Sequence, residues 1–142
     1  LVVADIRAAR AAGADVVIPF MHWGWERERQ PTQRQRQLAR RMIDAGADVV
    51  VGGHPHVTQG VDTYRGKLIV YSLGNFLFNS FDTVPTTTRW VLHVRMNRAG
   101  TVAWQTRVAR LDGDGVPPPD LTASSPCGKA GVTAISQCTG GK

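Results

Sequence analysis

The sequence predicts an α/β fold class: helix–strand units with parallel strands, followed by antiparallel strands. Two observations carry this reading. Residues 12–18 read AGADVVI and are echoed at residues 45–51 as AGADVVV, each copy behind a helix-like stretch. Beyond residue 60 the period changes, and apolar residues alternate with polar ones as in a sheet buried on one face.

Each element has a local reason. Residues 1–12 place Val2, Ile6 and Ala9 on one helical face, and Gly13 stands where a left-handed C′ residue is expected. A second helix is expected over residues 31–45, with Pro31 in its first turn, a stripe of Leu38, Met42 and Ile43, and Gly46 at its end. After each helix a β-branched run with little alternation reads as a strand buried on both faces. Ligands of such units collect outside the carboxyl ends of the strands, which is where His22 and His54 fall. Asp15 and Asp48 start their strands and read as turn residues.

Residues 61–64 and 67–73 flank Arg65-Gly66, a tight hairpin turn. Trp90, Leu92, Val94 and Met96 share one face of a strand, and Val102, Trp104, Thr106 and Val108 one face of the next, across a turn at residues 97–100. His93 then belongs to the polar, surface side. From Asp112 the chain is rich in Gly, Pro and Ser, and little regular structure is expected there. The expected organisation is therefore a domain over 1–111 and a tail over 112–142. The tail holds both cysteines, Cys127 and Cys138, as either a disulfide of an exported protein or two free thiols.

Composition narrows the function classes. The chain has 142 residues, 42% of them hydrophobic, enough for a core, and no apolar run approaches the ~20 residues of a membrane helix. The net charge is +6, with arginines densest at Arg27 to Arg29 and Arg34 to Arg41, diluted by Gln and Glu. No nucleic-acid-binding motif is visible, and a solvated helix face or an anionic partner accounts for the charge.

The candidate chemistry lies in two stretches. His54-Pro55-His56 follows Gly52-Gly53, glycines that leave room for an ion or phosphate to approach. An extended backbone would point both imidazoles to one side, beside His22 at the neighbouring strand end. Glu26, four residues past His22, is placed to orient a ligand or act as a base. Asn75, in the strand-breaking Leu73-Gly74-Asn75-Phe76, sits at the site mouth. Trp23 and Trp25 either wall a pocket or pack in the core.

Taken in order, His22-Trp23-Gly24-Trp25-Glu26, the AGADVVVGGHPHV run from Ala45 to Val57, and Tyr71-Ser72-Leu73-Gly74-Asn75-Phe76 closely resemble the CapA family of bacterial capsule synthesis proteins. That family is linked to poly-γ-glutamate production and is similar in fold to calcineurin-like metallophosphoesterases. The resemblance spans roughly residues 12–78. It implies a partial four-layer α/β/β/α sandwich and a dinuclear-type site for divalent metal (Mn, Fe or Zn). His22 and His54 would serve one metal and His56 the other, with Glu26 and Asn75 as catalytic candidates. The Gly-Asp and Asn-His motifs of the family's first half do not precede His22 here, so the chain is expected to be the C-terminal half of a longer domain. The implied role is capsule polymer synthesis, export or attachment, with an anionic polymer or phosphorylated substrate and membrane-bound capsule machinery as partners, and no nucleic acid. The implied location is extracytoplasmic, at the cell surface or membrane-associated through a preceding region. A metal-dependent phosphoesterase unrelated to capsule is the alternative.

Overall fold

The computed structural model describes residues 1–76, 83–111 and 116–140. Its elements are α1 (Val2–Ala11), β1 (Phe20–His22), α2 (Gln33–Asp44), β2 (Val49–Gly53), β3 (Thr58–Tyr64), β4 (Lys67–Leu73), α3 (Val84–Thr87), β5 (Thr88–Asn97), β6 (Gly100–Arg110), β7 (Ser124–Lys129) and β8 (Ser136–Thr139). They form two four-stranded sheets, ordered β1-β2-β4-β3 and β5-β6-β7-β8. Strands β1, β2 and β4 run parallel, β3 closes the first sheet antiparallel, and the second sheet is antiparallel throughout. The α/β class read from the sequence therefore holds.

The layers follow from which side chains each strand buries. Val50, Ile69 and Tyr71 turn toward Ile6 of α1 and Ala39, Met42 and Ile43 of α2. On the opposite face Val49, Val51, Leu68 and Val70 meet Trp104, flanked by Trp90, Leu92, Val94 and Met96 from the second sheet. Thus β2 and β4 are apolar on both sides because both sides are covered. Each such side chain contributes about 1.5–3 kcal/mol by leaving water. The described residues supply a helical layer and two sheets. No helix among them covers the far side of the second sheet, and none is long and apolar enough to cross a membrane.

Local chemistry sets the boundaries. Helix α2 starts at Gln33 rather than at Pro31, because Thr32 and Gln35 form a capping box in which each side chain answers the other's backbone N–H. Pro31 precedes that cap instead of occupying the first turn. The Arg65-Gly66 turn has φ of 50° and 72°, the left-handed pair a two-residue hairpin requires. The first β-branched run is not a doubly buried strand. Val16 and Ile18 are exposed, Pro19 has no N–H for a ladder, and β1 begins only at Phe20, itself exposed on the sheet edge.

The tail also departs from expectation. Strands β7 and β8 extend the second sheet from β6, and Cys127 and Cys138 are bonded across them. Ser124-Ser125-Pro126-Cys127-Gly128-Lys129 carries little β-propensity, so tertiary partners make the strand. Thr106 Oγ1 donates to the Pro126 carbonyl at 2.7 Å, and Ser125 Oγ donates to the Thr106 carbonyl at 2.6 Å. A Cβ at Gly128 would lie 2.6–2.9 Å from the Trp104 indole, so glycine is what lets β7 cross that ring. The bond closes a sequence separation of 11 residues. Reduction is expected to destabilise the fold by about 3 kcal/mol. A lowered urea midpoint, with amide-exchange protection lost first in β8, would register it.

Candidate functional site

The parallel pairing of β1 and β2 aligns His22 with Gly53, so His54 leaves its strand directly beside His22. Their ring centroids are 4.3 Å apart, and those of His54 and His56 are 5.7 Å apart. The sequence-predicted imidazoles thus converge on one rim at the carboxyl ends of the parallel strands. His22 is exposed and the other two are half-buried.

The backbone that presents them is unusual. His54 has φ 100° and His56 φ 62°, in the left-handed region that disfavours side chains. The loop is therefore not the extended segment expected from His-Pro-His spacing. Arg27, facing this loop, has φ 63° and donates its N–H to the Pro55 carbonyl at 2.7 Å. Of the four described non-glycine residues with positive φ, three lie on this rim. Strain of this kind persists where surrounding structure imposes it and clusters at functional sites.

Asn75 orients His56. Its Oδ1 accepts from His56 Nδ1 at 2.7 Å, while its Nδ2 donates to the carbonyls of His56 and Thr86 at 3.3 and 3.4 Å. This amide orientation places a proton on Nδ1, so that a neutral ring has its lone pair on Nε2. Glu26 Oε1 lies 3.8 Å from that Nε2 and is mostly exposed. Asn75 thus contacts the imidazole rather than open solvent.

Sequence reasoning missed the supports. Gln35 and Gln59 are buried and joined Nε2 to Oε1 at 3.0 Å; Gln59 Nε2 also donates to the Glu28 carbonyl at 2.8 Å. The pair ties the loop carrying Glu26 to α2 and β3. The Thr32-x-x-Gln35 capping pattern was the available signal. Arg89, fully buried, donates to the carbonyls of Phe76 at 2.7 Å and Thr87 at 3.0 Å and braces the segment bearing Asn75. Burial lowers its pKa.

The paired glycines act differently from expectation. The space beside Gly52 is filled by the Trp23 indole, whose Nε1 donates to the Tyr71 carbonyl at 2.8 Å across β2. A Cβ at Gly53 would meet only the Phe20 ring, at 3.6 Å. Room at Gly52 serves this internal hydrogen bond, not an approaching ion. Trp23 is core and Trp25 is exposed.

The chain's relatives fit this layout. A family model described as bacterial capsule synthesis protein PGA_cap matches residues 1–80, which include all three rim histidines, Glu26 and Asn75. The chain belongs to this family. It is 48% identical over 88 residues to the PGA biosynthesis protein CapA of Bacillus subtilis, covering 61% of this chain and 23% of that protein. It is 50% identical over 70 residues to the capsule biosynthesis protein CapA of Bacillus anthracis, covering 49% of this chain and 17% of that protein. A probable polyglutamine synthesis accessory protein of Mycobacterium tuberculosis is 36% identical over 74 residues, covering 52% and 19%. The chain therefore spans less than a quarter of the length of these relatives.

The donor chemistry at the rim suits a borderline divalent metal, since neutral imidazole is a favoured ligand of Zn and Fe sites. No group of three or more His, Cys, Asp or Glu among the described residues is arranged to hold such an ion. The imidazoles are adjacent, yet the described residues alone do not enclose a complete coordination sphere.

Proposed function

We propose that this chain contributes the imidazole side of a divalent-metal site to a protein of capsule polymer synthesis, export or attachment, poly-γ-glutamate being the polymer. The convergence of His22, His54 and His56 in strained backbone at a parallel-strand rim carries the reading. Family membership supplies the capsule context.

His22 and His54 would hold one ion and His56 a second, with carboxylate ligands from outside the described residues. A metal there would supply Lewis-acid polarisation of a bound anionic group. Asn75 keeps the His56 ring turned so that Nε2 faces the rim, and Glu26, 3.8 Å from Nε2, is placed to take a proton from a group bound at the rim. A phosphorylated substrate unrelated to capsule would use the same rim; the capsule-named relatives favour the first reading.

Metal content and phosphodiester hydrolysis, measured on the longer parent protein, test this. His54→Ala is expected to reduce bound metal by 10-fold or more. Asn75→Ala is expected to weaken metal binding 10–100-fold, as loss of a ligand's orienting partner does. Unchanged metal content in both variants would overturn the site. Metal bound without turnover, together with retained polymer production, would point to a non-catalytic role.

A further inference from the structure

The outer face of the second sheet carries a groove of about 700 Å³, remote from the histidine rim in strand order. Cross-strand registers build it. Arg95 of β5 pairs with Ala103 of β6, which pairs with Lys129 of β7. The neighbouring row runs His93, Gln105, Cys127 and Ser136. Arg95 and Lys129 therefore sit two strand spacings apart, about 10 Å. His93, Arg95 and Lys129 are exposed, and among the described residues no Asp or Glu lines the groove.

Arg107 lies on the same face of β6, two residues from Gln105, and its Nε is buried without a hydrogen-bond partner among the described residues. Among the described residues no carboxylate forms an ion pair with His93, Arg95, Arg107 or Lys129. Five cations elsewhere, Arg10, Arg65, Lys67, Arg98 and Arg110, each have an acid partner. Between its charges the groove is apolar, with Val132, Ala134 and the Cys127–Cys138 bond among its lining.

We propose that this groove binds a polycarboxylate chain of the poly-γ-glutamate kind. This rests on the capsule-polymer reading above and assigns the polymer a site separate from the histidine rim. Arg95 and Lys129 would grip successive carboxylates by charge-assisted hydrogen bonds, Arg95 in bidentate fashion. The methylene segments of a γ-linked backbone would lie along the apolar strip. A nucleic acid fits less well, because among the described residues no Phe, Tyr or Trp offers the groove an open stacking face: Trp104 is only 7% exposed.

Fluorescence anisotropy of labelled poly-γ-glutamate against the intact 142-residue chain at low salt tests this. The Arg95→Gln/Lys129→Gln double variant removes exposed charges; an intact disulfide and unchanged circular dichroism would verify its fold. Affinity is expected to fall 10-fold or more in that variant, to fall with added salt, and to stay unchanged in an Arg34→Gln/Arg41→Gln variant on α2. Loss of binding in the α2 variant instead would overturn the groove while leaving the polymer reading standing. Single-stranded DNA bound as tightly, with the same sensitivity to the groove substitutions, would overturn the choice of ligand. No binding by the wild-type chain would remove the polymer contact altogether.

Discussion

Asp48→Ala is expected to destabilise the chain by about 3–5 kcal/mol, the range seen when one partner of a buried ion pair is removed. The carboxylate side chain is 6% exposed and joins three elements. It pairs with Arg10 of α1, accepts from Lys67 Nζ of β4 at 2.8 Å, and accepts from the Val17 N–H at 2.9 Å. Removal would leave two cations facing each other and a backbone donor unmet. Burial acts to raise the Asp48 pKa, but the Lys67 and Val17 hydrogen bonds and the charges of Lys67 and Arg10 outweigh it and hold the pKa below the usual carboxylate value of 3.8. The sign of the pH dependence follows. A group with a depressed folded-state pKa binds fewer protons folded than unfolded, so its stabilisation is full above the unfolded value. It is lost as pH falls from near 3.8 through the lower folded value. Urea unfolding at neutral and acid pH would check this: the gap between wild type and Asp48→Asn should narrow as the pH drops below about 4.

Gly52→Ala is expected to cost about 3 kcal/mol, the upper part of the range for overpacking a tight core, because the added methyl would stand inside the Trp23 indole and the Tyr71 carbonyl. Both belong to the core, and Gly52 lies in β2 between β1 and β4 with little freedom to shift. The Trp23 Nε1 bond to Tyr71 would break as well. Thermal unfolding should show a midpoint lowered by roughly 6–15 °C for a domain of this size. Gly53→Ala, next along, meets only ordinary contact at 3.6 Å and is expected to change the midpoint far less.

These two positions also show where sequence reading stops. Asp48 read as a turn residue because its local neighbours say only that a helix ends and a strand begins. Its partners Arg10 and Lys67 lie 38 and 19 residues away, and nothing local marks them. Gly52 read as ligand space because a glycine at a strand mouth records that something comes close, not what; here it is an indole. By contrast, the histidine rim was legible, since repeated helix–strand units fix where parallel strands end and the imidazoles stand at those ends. The Arg65-Gly66 hairpin and the alternating faces of β5 and β6 were legible for the same reason: the signal is local and periodic. Strand β7 was not, because its residues have poor strand propensity and become a strand through Trp104, Thr106 and the disulfide. The Glu26 loop was half legible. Its position near His22 follows from spacing, while the buried Gln35–Gln59 pair that holds it depends on tertiary contact.

Paramagnetic broadening of the histidine resonances on titration with Mn²⁺ tests the shared rim most directly, because it registers even weak binding residue by residue. His93, exposed on the second sheet, serves as the internal reference. Broadening of His22, His54 and His56 together, well before His93, is the expected result. Equal effects at all four rings, or none at the three on the rim, would contradict a common cation site.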